Sequence, residues 1–238
     1  MIPAFEYRNR VVFDPRAQHK SSGPYVEYLK NLRLLFAMKG AKINVLKTTK
    51  IDSRRHKVDF RSASRAVKNP AKFFRKLKDN KLTHVYGVLE IHNASVVSVA
   101  ILQKMAPTPS SITPFLLPRR FTVFFTICPP NDCFLVVAHV DKNGSGPLVF
   151  GPSVTGAFTS IAVCAPDYSK SEESIPPEIE NVFSSTEVSV TPCKSDNPVH
   201  VVNMNASGAH VMLPAGCWHS VRTHGCSIRV GYYFQQRD

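Results

Sequence analysis

Gly208-Ala209-His210-Val211-Met212-Leu213-Pro214-Ala215-Gly216-Cys217-Trp218-His219-Ser220-Val221, followed by Ser227-Ile228-Arg229-Val230-Gly231-Tyr232-Tyr233-Phe234, is the stretch whose reading decides the fold. It reads as a strand, a Pro/Gly turn, an aromatic and a histidine entering a second strand, then a strand of alternating pattern that ends in aromatics. Such a run of short strands marks a β-rich body. The segments upstream agree: Val123-Phe124-Phe125-Thr126-Ile127-Cys128 and Cys133-Phe134-Leu135-Val136-Val137-Ala138 are further apolar strand candidates.

The second of these runs directly into His139-Val140-Asp141. Side chains at i and i+2 of a strand share a face, so His139 and Asp141 can grip one ion while Val140 points away. With His219 they complete a set of two imidazoles and one carboxylate. On one face of an iron, that set leaves the opposite positions open, the arrangement of non-haem Fe(II) oxygenases.

Taken together, these segments resemble the JmjC-type cupins, 2-oxoglutarate/Fe(II) oxygenases built on a double-stranded β-helix. The resemblance covers roughly residues 121–234. It rests on the Pro-x-Gly-x-Trp-His end motif, on His-x-Asp, and more loosely on Gly156-Ala157-Phe158-Thr159-Ser160-Ile161-Ala162-Val163-Cys164-Ala165-Pro166 as the strand after His-x-Asp. It implies a mainly β fold, a double-stranded β-helix of cupin or jelly-roll type, with an α-helical N-terminal region. It also implies Fe(II) held by His139, Asp141 and His219, 2-oxoglutarate as co-substrate, and hydroxylation or demethylation of a protein or nucleic-acid substrate.

Two departures from the family pattern bear on the co-substrate. The family's usual lysine for the far carboxylate of 2-oxoglutarate falls on Phe158, and a usual Thr or Tyr contact falls on Val136. Arg229, ten residues after His219 (229 − 219), is the replacement candidate, because its planar fork can hold a carboxylate through two hydrogen bonds. It shares a strand face with Gly231, opposite Ile228, Val230 and Tyr232. It meets the co-substrate if that face lines the barrel mouth, and is a solvent-facing edge residue otherwise. The alternative to an oxygenase is therefore an inactive cupin scaffold that binds nucleic acid or a protein partner. A jelly-roll structural protein with a basic arm is a third class.

The charge is uneven. Residues 1–82 hold 21 Lys/Arg and 6 Asp/Glu, a balance of +15, whereas residues 83–238 hold 9 and 11, a balance of −2. This divides the chain into a basic, partly helical N-terminal region (1–82) and a JmjC-like cupin domain (83–238). The basic region is a contact surface for nucleic acid or an acidic protein, or else a solvated face. Within it, residues 1–24 read as an arm, Tyr25–Met38 as a helix stopped at Gly40, and 41–47 as a short strand. Residues 51–57 read as a charged loop, and Asn69-Pro70 as the cap and first residue of a basic helix. Beyond it, 85–91 and 95–102 read as strands, and 165–198 as a long inserted loop.

Further readings bound the chemistry and the setting. His200, His210 and His224 are additional histidines near His219, with His210 read as structural, and Cys217 reads as a small core residue. Gly144-Ser145-Gly146-Pro147 lacks the strand-to-helix setting of a phosphate loop. No apolar run reaches the roughly 20 residues of a membrane-spanning helix. Residues 1–10 lack the apolar core of a secretory signal. Six cysteines without Cys-x-x-Cys spacing suit a reducing, intracellular compartment, nuclear or cytoplasmic.

Overall fold

The computed structural model describes residues 23–60, 62, 64–141, 146–164, 199–213 and 216–234. In chain order these form helix α1 (Pro24–Phe36), strands β1 (Lys42–Val45), β2 (Lys47–Lys50), β3 (Arg55–Asp59) and β4 (Arg65–Ala66), then helix α2 (Pro70–Lys78), strand β5 (Val85–Ile91) and helix α3 (Val96–Met105). Eight strands follow: β6 (Leu116–Ile127), β7 (Cys133–Val140), β8 (Gly146–Ser153), β9 (Phe158–Cys164), β10 (Val199–Met204), β11 (His210–Leu213), β12 (Trp218–His224) and β13 (Ser227–Phe234). The arm through residue 22 and the insertion at 165–198 lie outside the described residues.

The last eight strands alternate between two facing sheets. One sheet has the order β11-β8-β13-β6-β5-β1-β4 and the other β10-β9-β12-β7-β3-β2. Each sheet thus contains four of the eight, joined antiparallel. The chain changes sheet at every step except β9 to β10. That is the strand order of a double-stranded β-helix, the fold implied by the family resemblance.

Residues from the basic region extend both sheets. Strand β1 pairs antiparallel with β5, Ile43 opposite Leu89, and β3 pairs parallel with β7, Val58 opposite Val136. The seven-stranded sheet is covered on its outer face by helices. Tyr25, Tyr28, Leu29, Leu32, Leu35 and Phe36 of α1 recur at helical spacing and are buried there. Fully burying a side chain of this size stabilises by about 1.5–3 kcal/mol. The Tyr28 hydroxyl donates to the Thr126 carbonyl at 2.7 Å, so the apolar face carries no unpaired polar end there. Gly87 on β5 is opposite Phe125 on β6, and a Cβ at Gly87 would lie 1.9 Å from the Phe125 ring. Only glycine lets that ring cross to meet Phe36.

Two local expectations are corrected. Residues 95–102 form the start of α3 rather than a strand. The Ser95 hydroxyl accepts from the Ser98 backbone N–H at 3.1 Å, and Ser98, Leu102 and Met105 are buried at helical spacing. The β-branched valines that suggested a strand stay outside, with Val96 77% and Val97 68% exposed. Burial of one helical stripe outweighs the modest strand preference of exposed valines. Likewise 51–57 is not all loop: Arg55–Asp59 is β3, in which His56 and Val58 point inward by alternation. The basic helix starts where the sequence indicates, with the Asn69 side chain accepting from the Lys72 N–H.

Candidate metal centre

Strands β7 and β12 lie side by side with His139 directly opposite His219. Their ring centroids are 4.2 Å apart. Asp141, just past the end of β7, approaches both: one carboxylate oxygen is 3.9 Å from His139 Nε2 and the other 3.6 Å from His219 Nε2. All three ligand atoms lie within 4.8 Å of one another. The three residues singled out in the sequence thus converge on one point.

A register shift makes this possible. His219 faces His139, but Val221 faces Val136, so β7 carries one extra residue between these pairs. Phe134 and Val136 point into the space between the sheets. Strict alternation would send His139 to the other face. The irregularity turns it back inward, the re-aiming that β-bulges provide beside functional sites.

The orientation of each imidazole is set by backbone. His139 Nδ1 is 2.9 Å from the Val137 carbonyl and His219 Nδ1 is 3.1 Å from the Cys217 carbonyl. Since a carbonyl only accepts, Nδ1 carries the proton in each ring and Nε2 is left as a lone-pair donor facing Asp141. Burial and the neighbouring His139 hold the His219 imidazole below its ordinary range, opposed by Asp141 and by the Cys217 carbonyl. The neutral form favoured this way is the one that ligates metal.

The triad borders a cavity of about 920 Å³ between the sheets. Tyr86, Phe124, Val136 and Arg229 line it further in, and Lys57 and Phe60 from the basic region also border it. Phe60 stacks on His139 with centroids 5.7 Å apart. Arg229 faces this cavity while Ile228, Val230 and Tyr232 join the opposite, helix-covered core, which resolves the strand-face question in favour of the interior. Arg229 is only 1% exposed. One guanidinium nitrogen donates to Thr223 Oγ1 at 2.5 Å, and Thr223 Oγ1 is 3.2 Å from Thr159 Oγ1. Its charge also lies over the rings of Tyr86 and Phe124, at 5.3 and 5.8 Å. Burial pushes the Tyr86 phenol up, and the adjacent guanidinium partly offsets that.

Among the described residues, Arg229 Nε and Nη2 have no hydrogen-bond partner within ordinary distance. Buried donors left unpaired are rare and destabilising, and a guanidinium edge with free donors fits a carboxylate. The donor set of the triad likewise fits a divalent metal with open positions. Phe158 is turned away from the cavity and stacks on His224 at 4.3 Å, whereas Val136 does line it. Cys217 is buried, its thiol pushed up by that burial, and it stands outside the ligand group. His210 is exposed with Nδ1 3.2 Å from the Gly208 carbonyl, and His200 is exposed on β10. Tyr86, Thr223 and Phe60 were not foreseen. Each has only a strand or loop position as its signal, and their roles come from what the fold sets beside them.

No family model matches the chain, and no curated protein matches it in sequence. Among solved structures it is similar to ycfD of E. coli, with a TM-score of 0.48 and 12% identity over 88% of this chain and 45% of that one. A second structure, described as the Escherichia coli ribosomal oxygenase YcfD in complex with cobalt and succinic acid, gives a TM-score of 0.43 and 11% identity over 87% and 42%. The chain therefore spans less than half the length of these proteins. The fold assignment rests on the strand order. No helix among the described residues is long and apolar enough to cross a membrane.

Proposed function

We propose that the protein is an Fe(II)- and 2-oxoglutarate-dependent oxygenase that hydroxylates, or demethylates by way of hydroxylation, a protein or nucleic-acid substrate. One observation carries the reading: the His139–Asp141–His219 triad shares a cavity with a buried arginine whose Nε and Nη2 find no partner among the described residues. In this reading His139, Asp141 and His219 hold the metal, and Arg229 pairs with the far carboxylate of the co-substrate. When bound, iron and 2-oxoglutarate together supply the oxidising power that no side chain has. The chain's own residues orient and shield. The Val137 and Cys217 carbonyls fix the imidazoles, Thr223 holds Arg229, and Tyr86 and Phe124 exclude water from the cavity floor.

The basic region belongs to the same proposal. It borders the cavity through Lys57 and Phe60, so an acidic segment of substrate held by its lysines and arginines would enter beside the metal. A protein substrate or a nucleic acid meets that condition.

Anaerobic calorimetry tests the proposal. Fe(II) should bind first, and 2-oxoglutarate should bind with measurable affinity only to the metal-loaded chain. Metal binding without 2-oxoglutarate binding would establish the scaffold reading instead, which Val136 favours because it offers the co-substrate no hydrogen bond. Absence of metal binding would remove the oxygenase altogether.

A further inference from the structure

A second group of potential ligands stands at the opposite end of the barrel. His56 on β3, His84 just before β5, and Asp132 in the β6–β7 connection place one ligand atom each within 4.8 Å of one another. His56 is opposite Phe134 in the register of β3 and β7, five residues before His139 (139 − 134) on the same strand. At about 3.3 Å per residue the two groups are on the order of 17 Å apart along the sheet. The two sites are separate.

The geometry of this second group is that of a built site. His84 Nε2 is 2.8 Å from Asp132 Oδ2, and its Nδ1 is 3.1 Å from Thr83 Oγ1. Since a carboxylate only accepts, His84 Nε2 donates to Asp132 while Nδ1 has the Thr83 hydroxyl as partner, and a cation held between Nε2 and the carboxylate would take the place of that shared proton. Asp132 is itself held by backbone. Its N–H donates to the Pro129 carbonyl at 3.0 Å, and its own carbonyl accepts from the Gly225 N–H and the Cys128 thiol, each at 3.4 Å.

The unexplained member is His56. It is 8% exposed, stacked against His84 at 4.2 Å and tilted against Phe134 at 5.9 Å. Neither of its ring nitrogens makes a hydrogen bond with any described residue. A largely buried imidazole with no described hydrogen-bond partner, held beside a histidine and a carboxylate, has a ring nitrogen free to ligate.

We propose that His56, His84 and Asp132 form a second metal site, which takes a zinc-class divalent cation and ties the two sheets together. Two imidazoles and one carboxylate suit zinc, with ligand distances of about 2.0–2.2 Å and a fourth position for water. His56 belongs to the six-stranded sheet and His84 adjoins the seven-stranded one, so a single ion would cross-link them at the end remote from the first site. The site is structural and holds whether or not the first centre is an oxygenase.

The test uses the full-length chain carrying His139→Ala and His219→Ala, which removes the first site, after stripping with chelator. Titration with Zn²⁺, and with Co²⁺ as a visible probe, should show saturable uptake of a single ion, with the absorption of four-coordinate cobalt. The thermal midpoint should rise as free Zn²⁺ increases, by the linkage of binding to folding. Adding His56→Gln, which removes no hydrogen bond, should lower the affinity by at least about 10-fold. No saturable uptake by the folded chain would overturn the proposal, as would uptake that His56→Gln leaves unchanged; His84–Asp132 would then be an ordinary hydrogen bond. In the otherwise wild-type chain, His56→Gln should reduce metal content by one ion. An unchanged content there would overturn the proposal equally.

Discussion

His139 and His219 are cross-strand partners whose rings meet at 4.2 Å, and each points Nδ1 at the carbonyl two residues before it. In the proposed metal site the two Nε2 lone pairs are therefore presented by backbone geometry in advance. A preorganised site of this kind loses little conformational entropy on binding. Its loss by mutation should be correspondingly sharp.

His219→Ala should weaken divalent metal binding by more than the roughly 10–100-fold that losing an outer partner of a ligand causes, because it removes a ligand itself. His139→Ala should behave alike. Calorimetry on both variants decides this, and an affinity within threefold of wild type in either would show that the triad is not the binding centre.

Arg229 gives a second expectation, in which affinity and stability diverge. Arg229→Ala should weaken 2-oxoglutarate binding roughly 10- to 100-fold, the equivalent of about 1.5–3 kcal/mol for a charge-assisted pair, with metal affinity little changed. Arg229→Met should lose the same binding but leave the unfolding midpoint unchanged or higher, since replacing a buried, partly unpaired charge by a packed apolar chain is often neutral or stabilising. A steep drop in midpoint for Arg229→Met would mean that the arginine serves the fold.

Acid should destabilise the protein through His224. Burial, together with the Arg222 charge, pushes this imidazole down to about 4 from an ordinary value of 6.5. Between those values the unfolded chain binds a proton that the folded chain does not, so stability falls as pH falls through the window and levels off below it. Denaturant unfolding of wild type and His224→Gln at several pH values is the check. The wild-type curve should be the steeper one across this window, and parallel curves would refute the assignment.

Helix α3 offers a test of the fold alone. Ser95→Ala removes the hydrogen bond to the Ser98 N–H and should destabilise by about 1 kcal/mol. Val97→Ala, at an exposed helical position, should stabilise by a few tenths of a kcal/mol through helix propensity. Opposite shifts in the denaturation midpoint are expected, and a destabilised Val97→Ala would show that this valine is covered in solution.

Binding of an acidic partner to the basic region should weaken steeply with salt, and deletion of residues 1–82 would also remove β1 and β3 from the sheets. Charge reversal on exposed Lys72 and Lys78 of α2 is therefore the cleaner variant. Salt-independent binding would exclude a charge-driven contact.

The barrel strands, and the residue types of the candidate ligands His139, Asp141 and His219, could be read from the sequence because alternation and motif spacing are local. Alternation marks a strand wherever one face is buried, and the Pro-x-Gly-x-Trp-His and His-x-Asp spacings carry the ligand types in a recognisable form. The capping of α2 was equally local, since Asn69 and Pro70 act on their own helix. What the sequence by itself left open was set by contacts between distant residues. Val96 to Leu102 satisfies strand and helix patterns alike, and only the burial of Leu102 and Met105 against the helix-covered sheet selects the helix. The register shift that turns His139 inward exists only when β7 is paired with β12. Arg229 meets Tyr86 and Thr223, and His56 meets His84 and Asp132, through pairings that close the barrel across long sequence separations. Period and composition determine which segments form strands. Which side chains those strands bring within reach of one ion is decided by register and sheet order, which no single segment encodes.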